Sequence, residues 1–207
     1  MGTHHNTYIP HLSRDKKLGK IIISPLDELP VRKNIALKLI GSIMSQQLSV
    51  KVADVIYGRF LQLYNGKEPR TQQVLDTPPE TLRSIGLSNA KVSYVHNVAR
   101  FVQEEKLTDA RLRKMSDEEL IAYLTRIKGV GRWTVEMLLM FYLGREDVFA
   151  CDDWGIQQAM NKLYKLDTSD KKAHRARLLQ ISEKWAPYRS HACRYLWAWK
   201  DNAPVNG

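Results

Sequence analysis

The chain has 207 residues, 43% of them hydrophobic, so it is long enough to bury a core, and its composition excludes wholesale disorder. Lys and Arg number 32 against 22 Asp and Glu, which gives a formal charge of +10 and a pI near 9.6. This balance favours a polyanionic partner, with nucleic acid as the first candidate and an anionic membrane surface as the second. Two cysteines, Cys151 and Cys193, are too few for an iron–sulfur cluster. Because no signal-peptide pattern and no run of about 18 apolar residues occurs, we expect a cytoplasmic (bacterial, nucleoid-associated) or nuclear protein with reduced cysteines and no membrane partner.

The first half of the chain has helical periodicity. Lys20–Ser24 (KIIIS) is the one stretch with an extended pattern. Apolar residues then recur at helical spacing from Ile35 to Leu63, with a polar interruption at Ser45–Ser49. The sequence TPPE, residues 77–80, has the pattern of a capping box with proline at the first helical position, and Gly86 is a suitable stop for that helix.

The second half has the same character. Ser116-x-x-Glu119 is a second capping box and predicts a helix through Leu124. The segment TVEMLLMFYL, residues 134–143, is apolar nearly all round, which is typical of a helix buried in a core. A further apolar stripe at helical spacing consists of Val92, Val95, Ala99 and Val102. Helical patterns also cover residues 171–185 and 190–199, so the sequence predicts an all-α fold.

The strongest local feature is LTRIKGVGRWTVE, residues 124–136. A capped helix ends, Gly129-Val130-Gly131 turns, and the buried helix begins. The first N–H groups of that helix have no partner within the helix and lie at its positive end, so they suit a phosphate oxygen. Lys128 and Arg132 add positive charge on either side of the turn. An ordinary helix–helix connection would have the same glycines, but in this basic chain we favour a hairpin that binds the DNA backbone.

Two adjacent acids, Asp152 and Asp153, lie in CDDWG, residues 151–155. Taken alone, they are typical of helix caps at the start of a helix near Trp154. No histidine or further acid nearby has a metal-binding spacing, so a metal site here is disfavoured. A catalytic acid is the remaining alternative.

Several stretches together resemble the helix-hairpin-helix superfamily of DNA glycosylases. They are the hairpin with an aspartate 20 residues past Trp133, and the segments SIMSQQLSV (42–50), IGLSNAK (85–91) and KWAPYRSHACRYLW (184–197). The resemblance covers about residues 35–200 and is closest to the 3-methyladenine DNA glycosylase II (alkylpurine DNA glycosylase) family. We expect no counterpart of the amino-terminal sheet domain of the bacterial enzymes.

The resemblance implies a catalytic role for Asp153, and Asp152 is interpreted as a helix cap or orienting neighbour. A carboxylate close to C1′ would stabilise the positive charge that develops as the base leaves and would orient or deprotonate water. Family members that also cleave the strand have a nucleophilic lysine two residues after the second hairpin glycine, whereas this chain has Trp133. The resemblance therefore implies a monofunctional hydrolase that leaves an abasic site.

Aromatic faces attract a cationic alkylated base by about 0.5–2 kcal/mol per contact. Trp133 and Trp197 fall where the family lines its base pocket, although either residue could equally belong to the core. Trp154 lies beside the acidic pair. Met137 replaces a tyrosine of the bacterial family and is softer and less cation-attracting, so the preference among alkylated bases stays open.

The resemblance also implies DNA contacts. Gln47 aligns with the wedge, the residue that the family inserts into the gap left by the flipped base, and Leu48 is an alternative wedge. The purely structural alternative is a helix junction with two solvated glutamines. From Asp170 onward the chain has eight Lys or Arg against three acids. Contacts with the DNA backbone are expected from the hairpin and from one residue of this C-terminal region, and the expected residues are Lys128, Gly129, Val130, Gly131, Arg132, Thr134 and Arg189. The family further implies a monovalent cation on the carbonyls of Thr125, Ile127 and Val130.

The sequence thus predicts two helical subdomains flanking a cleft, one at 35–145 with the hairpin and one formed by 1–34 plus 146–207 with Asp153. The expected function is hydrolysis of the N-glycosidic bond of alkylated purines (3-methyladenine, 7-methylguanine type) in duplex DNA, as the first step of base excision repair, without AP lyase activity. We expect no cofactor and a monomer. The alternatives are a glycosylase for oxidised or deaminated bases and a non-catalytic binder of damaged DNA.

Overall fold

In the computed structural model of the protein, residues 7–29 and 34–202 are described. These residues fall into two compact units: unit 1 combines residues 7–29 with 144–202, and unit 2 is residues 34–143. The second unit boundary lies at 143/144, where the sequence suggested 145/146, and the first falls between the described residues 29 and 34, where the sequence suggested 34/35. The outer parts of the second predicted subdomain, residues 1–6, 30–33 and 203–207, lie outside the described residues.

Every regular element in the described ranges is helical, as predicted. Twelve α-helices and one 3₁₀ helix, Leu18–Ile21, occur there. The α-helices are α1 (Tyr8–Leu12), α2 (Ile35–Ser45), α3 (Val50–Gln62), α4 (Thr71–Asp76), α5 (Pro79–Ser84), α6 (Asn89–Glu104), α7 (Asp109–Arg113), α8 (Asp117–Leu124), α9 (Arg132–Phe141), α10 (Trp154–Tyr164), α11 (Lys171–Glu183) and α12 (Arg189–Asn202).

Helices α2 and α6 form the centre of unit 2. Helix α2 is buried on most of its surface and packs against α3, α6 and α9, while α6 also packs against α4 and α5. The stripe predicted from the sequence is the buried face of α6, with Val98 added to it; the set is Val92, Val95, Val98, Ala99 and Val102. The interior of this unit is therefore built from aliphatic stripes at helical spacing.

Unit 1 joins the N-terminal segment to the last three helices. Helix α10 packs against α12, and α12 also contacts the 3₁₀ helix. Asp15, in the N-terminal segment, accepts hydrogen bonds from the Tyr164 hydroxyl at 2.7 Å and from Trp185 Nε1 at 3.3 Å. Burial raises the pKa of the Asp15 carboxyl, but these bonds and two backbone N–H donors outweigh it, so its pKa lies below the ordinary value. These hydrogen bonds fix the N-terminal segment of unit 1 to the C-terminal part of the same unit, at Tyr164 and Trp185.

Most helix boundaries agree with the sequence. The polar interruption at 45–49 separates α2 from α3, and Ser116 and Glu119 form the predicted reciprocal capping box at the start of α8. A proline is the first residue of α5, as expected, but it is Pro79 and not the Pro78 that a Thr77 cap implies, and Gly86 follows the helix end with φ +110°.

Two local predictions were wrong. Thr77 does not cap α5, because Pro78 is the N-cap residue and the Thr77 hydroxyl instead donates to Gln73 O at 2.7 Å. The stretch from Lys20 is not extended as a whole, because Lys20 and Ile21 lie in the 3₁₀ helix, where Ile21 packs into the core. Short helices α1, α4 and α7 have too few turns to give a recognisable period, and the sequence did not predict them.

The two cysteines and the length of the helices were also used in the sequence analysis, and the structure describes both. Cys151 and Cys193 are both buried free thiols. None of the helices in the described ranges is both long enough and apolar enough to cross a membrane.

Candidate functional site

Helices α8 and α9 pack against each other and are joined by the predicted hairpin. Three aliphatic side chains anchor the turn in unit 2: Leu124, Ile127 and Val130 are all buried. Gly129 has φ +104°, a left-handed conformation that favours glycine. Gly131 is the N-cap residue of α9, is exposed, gives no side-chain cap, and has open space where a Cβ would lie. The hairpin therefore offers an uncovered backbone surface at a positive helix end.

Two cationic side chains flank the turn in different states. Lys128 is exposed. Arg132 is ion-paired with Glu118 at 2.8 Å and, through Nε, with the buried carboxylate of Glu136 at 3.0 Å. These bonds raise the pKa of the Arg132 guanidinium above its ordinary value. Arg132 therefore has acidic partners within its own unit, whereas Lys128 presents its charge to solvent.

Two of the predicted backbone contacts have hydrogen-bond partners inside unit 2. Thr134 is only 1% exposed and its hydroxyl accepts a hydrogen bond from Gln46 Nε2 at 3.2 Å, so this hydroxyl stabilises unit 2. The N–H of the buried Val130 donates to Ile127 O at 2.9 Å, so it closes the turn instead of facing a phosphate. The sequence could not distinguish these inward-facing groups from the exposed ones because both kinds lie in the same five-residue run.

The carbonyls suggested for a monovalent cation belong to the same turn. Ile127 O already accepts the Val130 N–H, although a carbonyl oxygen has a second lone pair with which it can coordinate an ion. Thr125 is the C-cap residue of α8, and its hydroxyl is used internally, donating to Ile121 O at 2.7 Å. Neutral carbonyl oxygens fit a weakly bound monovalent cation, and this ion stays a prediction of the family resemblance.

The predicted wedge lies in the linker between α2 and α3. Gln47 is exposed and has φ +60°, which is left-handed for a residue with a Cβ. Leu48 is 37% exposed. Both candidates are therefore at the surface of unit 2, and the choice between them as the wedge stays a prediction.

Asp153 is held in one orientation at the start of α10. It is the N-cap residue of this helix, and its Oδ1 accepts the N–H of Ile156 at 2.8 Å and the Nε1–H of Trp197 at 2.8 Å. A carboxylate at a helix N-terminus with two donors is oriented and its negative charge is stabilised. Asp152, in contrast, is exposed and ion-paired with Arg175. Of the two roles suggested for Asp152, helix cap or orienting neighbour, the cap was wrong, because the capping bond belongs to Asp153.

The four candidate pocket residues differ in exposure. Trp197 lies against the acid through its hydrogen bond to Asp153. Trp154 is 69% exposed, and Lys200 Nζ lies 5.5 Å from its ring centroid. Trp133 and Met137 are half-buried and one turn apart on α9, a helix whose other inner positions are buried. Unit 1 thus contains the acid with two tryptophans, and unit 2 contains the other two candidates.

Arg189, predicted as a phosphate contact, has an acidic partner. Its guanidinium donates to both oxygens of Asp147, at 2.7 Å from Nε and 2.8 Å from Nη2. Burial raises the pKa of the Asp147 carboxyl, but the bonds from Arg189 outweigh this effect and leave the pKa below its ordinary value. In this structure Arg189 therefore stabilises the start of α12, and its contact with DNA stays a prediction.

Several residues of the site were not singled out by the sequence. Phe141 continues the half-buried line of Trp133 and Met137 at four-residue spacing, and this spacing is a signal that could have found it. A Cβ on Gly155 would lie 3.1 Å from both Asp153 Oδ1 and Trp197 Cδ1, so glycine permits that contact. Lys91 Nζ donates to the carbonyls of Met44 and Gln46, and nothing in its local sequence indicates these partners.

Comparison with known proteins identifies the family of this chain. Residues 40–186 match the family described as HhH-GPD superfamily base excision DNA repair protein. DNA-3-methyladenine glycosylase 1 of Schizosaccharomyces pombe is 38% identical over 162 residues, which are 77% of this chain and 70% of that protein. YfjP of Bacillus subtilis is 33% identical over 161 residues, 75% of this chain but only about half, 55%, of that protein.

A solved structure shows the same relationship in three dimensions. The S. pombe 3-methyladenine DNA glycosylase Mag1, in complex with abasic DNA, superimposes with a TM-score of 0.87 at 33% identity, over 98% of this chain and 100% of that one. The match with the family covers the hairpin, the linker after α2 and Asp153 together. The chain therefore belongs to the HhH-GPD superfamily of base excision DNA repair proteins.

Proposed function

We propose that this chain is a DNA-3-methyladenine glycosylase that hydrolyses the N-glycosidic bond of alkylated purines in duplex DNA and so begins base excision repair. The observation that carries the proposal is the Asp153 carboxylate, fixed by Trp197 Nε1 and Ile156 N at the start of α10, in a chain with the helix-hairpin-helix. The S. pombe relative named for this activity supports it.

The chemistry follows from the oriented acid. Departure of a purine leaves positive charge on C1′ and the ring oxygen of the sugar, and a fixed carboxylate stabilises this charge without reorganising. The same carboxylate orients a water for attack on C1′ and accepts its proton. Because its orientation depends on Trp197, a residue 44 positions away, catalysis would require unit 1 to be folded.

The reaction would stop at the abasic site. A lyase needs an amine that attacks C1′ and forms a Schiff base, and Trp133 stands at the position where such enzymes have lysine. An indole has no nucleophilic amine, so the product would be an intact strand with a missing base, as expected for a type II hydrolase.

Aromatic and thioether side chains would select the base. Alkylation at N3 or N7 makes a purine cationic, and the faces of Trp133 and Trp197 attract such a ring by cation–π interaction. Met137 would offer the base a polarisable thioether contact, which is softer and less cation-attracting than an aromatic ring. Trp154 is exposed and contacts Lys200, so it is a weaker candidate for the pocket wall.

DNA binding would combine the hairpin and the linker after α2. Lys128 and the uncovered backbone at Gly131 would bind phosphates, and Gln47 would fill the gap left by the extruded base and hydrogen-bond its partner. We expect the protein to act as a monomer, cytoplasmic in a bacterium or nuclear in a eukaryote, and without a cofactor.

The test is incubation of the chain with a methylated duplex, followed by chromatography of the released bases and gel analysis of the DNA. We expect free 3-methyladenine and 7-methylguanine, and strand breaks that appear only after alkali. Release only from duplexes with oxidised or deaminated bases would make the chain a glycosylase of another specificity. Selective binding of damaged DNA with no base released would make it a non-catalytic binder, and strand cleavage before alkali would contradict the hydrolase mechanism.

A further inference from the structure

Helix α6 contacts the two segments of unit 2 that are proposed to bind DNA. Near its start, Lys91 Nζ donates to Met44 O at 2.9 Å and to Gln46 O at 2.7 Å, in the last turn and C-cap of α2. A lysine ammonium that binds the final carbonyls of a helix stabilises that end of the helix. Lys91 therefore fixes the backbone immediately before Gln47.

Farther along the same side of α6, two residues contact the hairpin turn. A Cβ on Gly129 would collide with the ring of Tyr94, so the Tyr94 ring lies directly against the glycine backbone. One turn later, Asn97 Nδ2 donates to Lys128 O at 3.2 Å. Lys91, Tyr94 and Asn97 follow one another at three-residue spacing, so they share a broad side of the helix.

A direct bond closes the arrangement. Gln46 Nε2 donates to Gly129 O at 3.1 Å and to the hydroxyl of the buried Thr134 at 3.2 Å. The linker after α2 is thus joined to the hairpin twice, once through Gln46 and once through α6. Gln47, whose φ of +60° is unfavourable for a residue with a Cβ, follows directly after this fixed point.

We propose that Lys91 is a positioning residue that sets the place of Gln47 relative to the hairpin, so that the wedge enters the duplex whose backbone the hairpin holds. The inference rests on the proposed function. A wedge must enter a gap of one base step, about 3.4 Å along a strand, so a shift of about 1 Å in the linker is a large fraction of the target. Misplacement on this scale reduces reaction rates by up to about a hundredfold.

The test compares Lys91→Met, which keeps the chain length and removes the donor, with Lys91→Arg, which keeps a donor and the charge. Lys114→Met, at an exposed position, is the control for loss of one charge. Single-turnover base release is measured on two duplexes, one with the lesion opposite thymine and one with the same lesion opposite an abasic analogue, where no base pair needs to be broken.

We expect Lys91→Met to release the paired lesion at least about tenfold more slowly than the parent chain and the unpaired lesion within about threefold. Lys91→Arg should recover most of the loss, and Lys114→Met should resemble the parent. General destabilisation would slow both substrates alike, so equal losses on the two duplexes would overturn the inference. Parent-like release of the paired lesion by Lys91→Met would also overturn it.

Two further measurements separate the role of Lys91 from general destabilisation and from failure of base release. Adding Lys91→Met to Gln47→Ala should slow release of the paired lesion little beyond Gln47→Ala alone, because the wedge that Lys91 positions is already absent, whereas independent effects would add. Fluorescence of 2-aminopurine placed next to an abasic analogue reports insertion of the wedge without chemistry. A signal in the parent chain that Lys91→Met loses would support the role of Lys91 even if no base is released, and an unchanged signal in the variant would contradict it.

Discussion

At the scale of single residues, the two acids of CDDWG have separate environments. Asp153 caps α10 and accepts a hydrogen bond from Trp197, while Asp152 is exposed and paired with Arg175. The cap and the proposed catalytic group are therefore one carboxylate. A group fixed by the helix it begins is well suited to act on a developing cation, because its orientation needs no change during the reaction.

Asp153→Asn should abolish base release, with a loss of at least about a hundredfold, because the amide has no charge for the sugar cation and no basicity toward water. Asparagine is as good an N-cap as aspartate, so the free energy of unfolding should change by less than about 1 kcal/mol. Single-turnover release and binding to an abasic duplex are the measurements, and binding should persist.

Asp152→Asn is the matched control for that variant and should keep release within about threefold, because surface ion pairs contribute little. If Asp152→Asn loses activity and Asp153→Asn keeps it, the wrong carboxylate has been assigned.

Gly155→Ala tests how close Trp197 must lie to the acid. The new Cβ would be 3.1 Å from Asp153 Oδ1 and 3.2 Å from Trp197 Nε1, so one of the two groups must move by a few tenths of an ångström. We expect base release to slow by about tenfold, while the helix-forming preference of alanine, about 1 kcal/mol, offsets the strain in the free energy of unfolding.

The control for Gly155→Ala is Gly58→Ala in α3, where a Cβ would meet no atom within 4 Å. It should raise the melting temperature and leave base release unchanged. Parent-like release by Gly155→Ala would show that the spacing of Trp197 and Asp153 is not required.

At the scale of elements, the segment before α10 is tied to the first turn of α12. Ser190 Oγ donates to Arg145 O at 2.7 Å and accepts the N–H of Val148 at 2.9 Å, and the Asp147–Arg189 pair lies beside these bonds. The connection aligns the segment that leads to Asp153 with the helix that contains Trp197. Residue orientation in unit 1 thus depends on this junction between elements.

The junction predicts a pH dependence of stability. Because the folded pKa of Asp147 lies below its ordinary value, its stabilising effect is present above the ordinary Asp pKa of about 3.9 and is lost as the pH falls through the folded pKa. Asp147→Asn should therefore be less stable than the parent chain at pH 7, and the difference should shrink below about pH 4. Urea unfolding at a series of pH values measures it.

The control here is again Asp152→Asn, whose partner Arg175 is half-exposed, so its removal should alter stability little at any pH. A constant difference between Asp147→Asn and the parent chain down to pH 3 would contradict the assignment to the Asp147 charge.

At the scale of the whole molecule, the charge of +10 bears on how strongly DNA affinity should depend on salt concentration. Each phosphate contact by a lysine or arginine adds about one unit to the negative slope of log affinity against log salt. Many of the cations described here have acidic partners, as Arg132 and Arg189 do, so the slope should be much smaller than the net charge.

Lys128→Ala should weaken DNA binding about equally for damaged and undamaged duplexes and reduce that slope by about one unit. Lys67→Ala, at another exposed position of unit 2, should leave the slope unchanged. Fluorescence anisotropy at several salt concentrations measures both. An unchanged slope for Lys128→Ala would show that the hairpin lysine does not contact a phosphate.

The sequence by itself determined the features that depend on neighbours in the chain. The buried stripe of α6, the capping box at Ser116, the break after Ser45 and the glycine turn all follow from spacing and residue type, and the structure confirms them. Helical periodicity and turn chemistry are local, so a short window of sequence contains the information needed.

Only the tertiary structure decided the roles that depend on distant partners. Asp153 is oriented by a bond from Trp197, 44 residues away, Thr134 is internal because Gln46 reaches its hydroxyl, and Lys91 binds carbonyls more than forty residues away. Hydrogen bonds and burial depend on how the helices pack, and packing brings together residues that no local pattern relates.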